Sequence, residues 1–222
     1  VAGCSWVILA DLSPPDPEIP ALLFLAAALR DHGAASVGLA APYLPYMRQD
    51  QEFLAGEAVT SRSFAQWVSG AFDFLVTVEP HLHRVHRLPD LYSIPSVAVS
   101  AAPWLAEHVR ASRSGAFVVG PDEESGAWAG AVAQAAGIPC VLLEKARHGD
   151  LDVQVVLPDL EPLRGRHPVL VDDIVSSGRT AAVAARGLIA RGFAAPDLVA
   201  VHGIFAAGAL EDLAAAGIRG VA

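Results

Sequence analysis

The sequence predicts an α/β protein of two lobes, each a mostly parallel sheet flanked by helices, and three observations carry that prediction. Short apolar, β-branched runs alternate with helix-length stretches, the pattern of strands joined by crossover helices. One phrase, made of a strand, an acidic residue, a turn, a helix, a glycine and a strand, occurs twice, near either end of the chain. Finally, 222 residues that are 53% hydrophobic and 18% charged, with a mean hydropathy of +0.42, fill cores easily and exclude intrinsic disorder.

In chain order, Val7-Ile8-Leu9-Ala10 is the first strand, ending at Asp11 before the turn Ser13-Pro14-Pro15-Asp16-Pro17. A helix is expected over 20–32; Gly33 stops it, and the next strand covers 36–41. Further helices fall at 61–70, 102–111 and 126–136, and further strands at 74–78, 96–99, 116–119 and 140–143. The phrase then returns. A strand at 169–171 is closed by Asp172 and Asp173, a turn runs through 176–180, a helix covers 181–190, Gly192 stops it, and 198–202 is a strand. Strands connected in this way are parallel and are expected to be covered on both faces. The lobe boundary is placed near Ser100, dividing 1–99 from 100–222. Trp67, Trp104 and Trp128 lie on expected helices and are assigned to packing.

Charge narrows the partners. Twenty-four acidic against 15 basic side chains leave −9, which argues against nucleic acid and against an anionic membrane surface. Cys4 and Cys140 are far apart and lack metal-ligand spacing, the usage of a reducing compartment. No charged-then-apolar leader opens the chain and no apolar run reaches bilayer length, so a soluble, cytoplasmic protein with no membrane partner is expected. The start at Val1 and the stop at 220–222, where a new strand begins, lead us to expect that the natural protein extends beyond one or both ends.

The strongest chemical signal is Asp172-Asp173-Ile174-Val175-Ser176-Ser177-Gly178-Arg179-Thr180. Two carboxylates at a strand end suit ribose hydroxyls or the water shell of Mg²⁺, an ion that needs few protein oxygens. Small residues then lead into a helix whose first N–H groups and dipole attract a phosphate. Ribose 5-phosphate satisfies both halves. The plainer alternative is a turn with Ser177 or Thr180 as N-cap, but two adjacent acids at a buried strand end are costly without a partner. A second signal is compositional: Lys145 is the only lysine among 15 basic residues. A chain that otherwise uses Arg keeps one Lys where a compact, flexible ammonium is needed.

On these residues the chain resembles the type I phosphoribosyltransferases and the ribose-phosphate diphosphokinases (PRPP synthetases), whose 5-phosphoribosyl diphosphate loop is similar to 169–180. Other segments select the diphosphokinases. Pro42-Tyr43-Leu44-Pro45-Tyr46-Met47-Arg48-Gln49-Asp50 resembles the segment whose Arg-Gln-Asp contacts ATP, and Thr77-Val78-Glu79-Pro80-His81 resembles the Asp-Leu-His element. Gly120-Pro121-Asp122-Glu123-Glu124-Ser125-Gly126 is similar to the diphosphate-side loop, and Glu144-Lys145-Ala146-Arg147 to the mobile catalytic loop. The segments stand in the family's order over nearly the whole chain, in a pattern closer to archaeal-type and divergent bacterial members. Plain phosphoribosyltransferases lack the Arg-Gln-Asp and His elements.

The resemblance implies two type I phosphoribosyltransferase-like lobes with the active site between them. It implies transfer of the β,γ-diphosphoryl group of ATP to the 1-hydroxyl of ribose 5-phosphate, with Mg²⁺, giving 5-phosphoribosyl 1-diphosphate and AMP. ATP falls to Arg48, Gln49, Asp50 and His81 on the first lobe. Ribose 5-phosphate falls to Asp172, Asp173, Ser176, Ser177, Gly178, Arg179 and Thr180 on the second. Lys145 and Arg147 carry the transition state, and His81 and Asp122 serve the magnesium shell. A homo-oligomer of at least two chains is implied, because the family completes its nucleotide site across subunits. The sequence departs from the family at Glu79, Ser176, Ser177 and Arg179, which stand where many members have Asp, Asp, Thr and Gly. A Phe-Pro-Asp-Gly-Glu-like segment is not found. Two alternatives stay open: a catalytically weak regulatory paralogue and a plain phosphoribosyltransferase. A zinc centre at His81, His83 and His86 is set aside, since Arg84 and Arg87 interleave and no cysteine is near. Tyr43 and Tyr46 edge a base or anchor an interface.

Overall fold

The computed structural model describes residues 1–112, 115–121, 125–148 and 152–222, with the backbone alone at 112, 127, 144–148 and 152–156. It divides into two compact units, Val1–Ser100 and Ala101–Ala222. In the first, β1 (Ser5–Leu9), α1 (Glu18–Asp31), β2 (Ser36–Ala40), α2 (Thr60–Ala71), β3 (Phe74–Val78) and β4 (Ser96–Val99) follow one another. The four strands are parallel and lie in the order β1-β2-β3-β4.

That order decides where the core sits. A right-handed crossover returns over one face of a sheet, and when the order never reverses every helix lands on the same face. Accordingly Leu22, Ala26 and Leu29 of α1 and Phe64, Ala65 and Val68 of α2 pack with Ile8, Leu39 and Leu75 in one cluster. The alternate strand positions Val7, Leu9 and Val97 are exposed. Covering on both faces was the expectation; among the described residues the first unit's sheet is covered on one. On the open face the Phe74 ring lies against Gly38, its neighbour across the ladder, so closely that a Cβ at Gly38 would stand 2.1 Å from the ring.

The second unit comprises α3 (Ala102–Ser112), β5 (Ala116–Gly120), α4 (Gly126–Ala136), β6 (Cys140–Leu142), β7 (Glu144–His148), β8 (Asp152–Val156), β9 (His167–Val175), α5 (Arg179–Ala190), β10 (Asp197–Gly203), α6 (Ala209–Ala215) and β11 (Gly220–Val221). Its parallel sheet runs β11-β10-β9-β5-β6. From β5 the chain steps outward to β6, and from β9 it steps the other way to β10 and β11, so the helices cover both faces. Phe117, Val119, Leu170 and Leu198 face a core shared with α5 and α6. Val118, Val169, Val171 and Val199 face one shared with α3 and α4. The reversal between β5 and β9 is a topological switch point, the place where open α/β sheets bind ligands beyond the strands' carboxyl ends.

The glycine stops are as read: Gly33 and Gly192 take positive φ of 80° and 83° after α1 and α5. The residues that follow them return to the last helical turn, with Ala34 N–H on the Leu29 carbonyl and Phe193 N–H on that of Leu188. Four readings are corrected. β9 does not end before the acids but carries Asp172 and Asp173 within it to Val175. α5 begins at Arg179 rather than 181. Lys145 and Arg147, expected on a loop, stand in β7, which pairs antiparallel with β8 so that they oppose Val155 and Val153. Trp128 packs against the second unit's core, whereas Trp67 and Trp104 are exposed. No helix among the described residues is long and apolar enough to cross a membrane.

Candidate functional site

At the carboxyl end of β9, Asp172 and Asp173 are both half-buried. Each turns an oxygen onto the next backbone amide: Asp173 N–H donates to Asp172 Oδ1 at 3.0 Å and Ile174 N–H to Asp173 Oδ1 at 2.7 Å. These bonds let two adjacent carboxylates sit inside a strand without forfeiting all their hydration. Three residues, Ser176 to Gly178, then connect to α5. The N-cap is Gly178 at φ 67°, not Ser177 or Thr180, and α5 starts with no side-chain cap. Its first N–H groups therefore keep the partial positive charge that a capping oxygen would otherwise absorb. Ser177 and Arg179 are exposed, while Ser176 and Thr180 are half-buried.

In the first unit the expected residues gather at the carboxyl ends of β2 and β3. After β2 the chain passes Tyr46 at φ 63°, whose hydroxyl donates to Asp16 Oδ1 at 2.5 Å and whose ring meets Phe64 at 5.3 Å. Burial first, and Asp16 second, push that phenol up to about 12. Arg48 is exposed. The Gln49 side-chain amide donates to Glu57 at 3.3 Å, and the Gln49 backbone carbonyl accepts from Ser61 N–H at the start of α2. Asp50 is tied to Arg84: Nη1 to Oδ1 is 2.8 Å, with the carboxylate side chain 5% exposed and the guanidinium 44%. After β3, Glu79 takes a φ of 37° and accepts from the Ser100 hydroxyl at 3.1 Å. A positive φ at a non-glycine residue is sparsely populated and persists only where its surroundings impose it. His81 is half-buried, its ring 6.4 Å from that of His83.

Arg84 was not singled out from the sequence, and no local pattern could have done so, since its partner lies 34 residues away. The ion pair joins the segment after β2 to the segment after β3. Arg84→Ala is expected to cost the protein about 1–3 kcal/mol, because it leaves a nearly buried carboxylate unpaired while the lost guanidinium was itself part-solvated. Urea unfolding measures it, and an unchanged midpoint would refute the pairing.

The donor set fits magnesium. Asp172 and Asp173 offer hard carboxylate oxygens at consecutive positions near the end of β9, and no group of three or more His, Cys, Asp or Glu converges among the described residues. Mg²⁺ keeps most of its waters and binds through one or two carboxylates plus substrate phosphates. Asp122, expected in the magnesium shell, lies outside the described residues, as do the side chains of Lys145 and Arg147.

An acid pair and an uncapped helix start at the switch point of a five-stranded parallel sheet are where an open α/β domain binds its ligand, and the class of this domain is given by the family model described as phosphoribosyl transferase domain, which matches residues 89–211. Residues 1–71 match the N-terminal domain of ribose phosphate pyrophosphokinase. The ribose-phosphate pyrophosphokinase of Methanopyrus kandleri is 34% identical over 97% of this chain and 74% of its own length. That of Methanothermobacter thermautotrophicus is 32% identical over 100% and 76%. The crystal structure of phosphoribosylpyrophosphate synthetase from Mycobacterium smegmatis superposes on all of this chain and 72% of that one with a TM-score of 0.86 at 26% identity. The chain belongs to the ribose-phosphate pyrophosphokinase family.

Proposed function

We propose that this protein transfers the β,γ-diphosphoryl group of ATP to the 1-hydroxyl of ribose 5-phosphate, and that its sites divide between the units. Asp172 and Asp173, followed after five residues by the uncapped start of α5, carry the reading. The acids hold the ribose hydroxyls and the magnesium water shell, while Ser176, Ser177, Gly178, Arg179 and Thr180 hold the 5-phosphate. On the first unit Arg48, Gln49 and His81 bind ATP, with His81 also at the magnesium shell. Asp50 fixes that segment through Arg84. On the second unit Asp122 serves magnesium binding.

In the reaction the sugar's O1 forms a bond to the β-phosphorus as the bond from that phosphorus to the α-bridging oxygen breaks. AMP leaves, and the hydroxyl proton passes to solvent. Bound Mg²⁺ supplies positive charge to the phosphate oxygens. The chain's own contribution is positioning and further positive charge: Lys145 and Arg147 neutralise the nonbridging and leaving oxygens, and closing over them excludes water. The protein works as a homo-oligomer of at least two chains in the cytoplasm.

The test is AMP formation from ATP in Mg²⁺ with and without ribose 5-phosphate. AMP that requires the sugar phosphate is the expected result. A folded protein that binds ribose 5-phosphate yet forms no AMP would point instead to a regulatory paralogue. AMP independent of the sugar would reject the reading.

A further inference from the structure

The loop proposed above to hold the 5-phosphate is itself held, and by one continuous stretch of chain. Beyond β10, Ile204 N–H donates to the Val175 carbonyl at 3.0 Å and Ala206 N–H to the Ser176 carbonyl at 3.1 Å. The stretch is braced against the core. The Phe205 ring packs on the α5–α6 cluster and folds back so tightly that a Cβ at Gly203 would lie 2.6 Å from it. Further on, Leu213 of α6, fully buried, sits where a Cβ at Gly178 would meet it at 2.9 Å.

Peptide geometry converts these contacts into a statement about the loop's donors. The carbonyl of Val175 and the N–H of Ser176 share one peptide plane, as do the carbonyl of Ser176 and the N–H of Ser177. In a trans peptide the two groups point in opposite directions, and the one cis bond among the described residues is Ser13–Pro14. With both carbonyls turned toward 204 and 206, the N–H groups of Ser176 and Ser177 are turned away from that stretch. Successive amides fixed in this way are what an anion site needs.

We propose that residues 203–213 form a positioning strap, with Ile204 and Ala206 aiming the loop's amides at the phosphate group and Phe205 and Leu213 bracing them from behind. None of the four touches the substrate. The inference rests on the ribose 5-phosphate reading of the loop, and its natural ligand class is a phosphate monoester.

The variant to make is Ala206→Pro, which removes the donor to Ser176; Ala206→Ser keeps it. Should the proline variant fail to fold by thermal melting, an ester in place of the 206 amide removes the same hydrogen with almost no change of shape. Two quantities are read: KM for each substrate, and the Kd for inorganic phosphate as a bare anion. Losing an aligned charge-assisted donor is expected to raise KM for ribose 5-phosphate and Kd for phosphate at least about tenfold. KM for ATP stays within about twofold, and Ala206→Ser matches the parent. Parental phosphate affinity in the folded variant, or an equal rise for both substrates, overturns the strap. If the parent binds phosphate but makes no AMP, the diphosphokinase reading fails and the phosphate titration alone decides the strap.

Discussion

Lys145→Ala is expected to lower kcat for AMP formation by about 10²–10³-fold with a much smaller change in KM for either substrate. Diphosphoryl transfer leaves little covalent work to the protein and places charge on nonbridging and leaving oxygens, so a cation positioned for that charge acts mainly in the transition state. Removing one preorganised donor at such a centre typically costs about 3–4 kcal/mol. The chain offers a reason to expect the loss here: it uses Arg at every other basic position and Lys once, at the residue that opposes Val155 in the hairpin. Lys145→Arg keeps the charge but replaces a compact ammonium with a planar fork, so it should recover only part of the rate. Steady-state kinetics of the two variants decides the matter. A change confined to KM would mean that Lys145 binds substrate equally in ground and transition states and has no special catalytic part.

Gly38→Ala is expected to destabilise the first unit by about 3 kcal/mol. The new methyl would stand 2.1 Å from Phe74 Cζ, with two more ring atoms at 2.2 and 2.5 Å. A ring is rigid, so either Phe74 swings off the sheet or β2 and β3 separate, and overpacking of that kind costs about 1–3 kcal/mol and occasionally more. The two residues are ladder partners, so their effects should couple. With Phe74→Ala already in place, adding Gly38→Ala should cost about 1–2 kcal/mol less than it does alone. Urea titrations of the four proteins give the cycle, and simple additivity would show that the ring is not what excludes the methyl.

Much of the fold was legible because its signals are local. β-branched runs mark the strands, and Gly33 and Gly192 mark where α1 and α5 stop, since the chain there needs a positive φ. Strand order is not local. Nothing in residues 5–9 or 96–99 announces that β1 and β4 lie at opposite edges, and the one-sided covering of the first sheet follows from that order alone. The hairpin differs from expectation for another reason. Asp152-Val153-Gln154-Val155-Val156 carries an alternating β-branched signal, but the resemblance of 144–147 to a mobile catalytic loop implies a loop there.

For the candidate site the division is similar. The segment 172–180 was read as an acid pair and an anion-binding helix start from residue types and spacing. Its details turned on backbone atoms, which carry little sequence signature: Asp172 and Asp173 stay within β9 because neighbouring amides satisfy them, and Gly178 rather than a hydroxyl residue closes the turn. Asp50, expected on ATP, engages Arg84. That pairing links two loops far apart in sequence, and only the folded chain brings them together.

The contrast between the two sheets also sets how each unit filters mutations over evolutionary time. Along Ala116–Val119 of β5 and Val169–Val171 of β9, successive side chains enter one core or the other, so each of these positions is under packing constraint and the record of accepted substitutions there should be narrow. Along β1 the constraint falls on alternate residues, since Ile8 packs inward while Val7 and Leu9 do not. Drift there can proceed with a two-residue rhythm, one position held and the next released, so the first unit can diversify its surface strands while the second keeps its own.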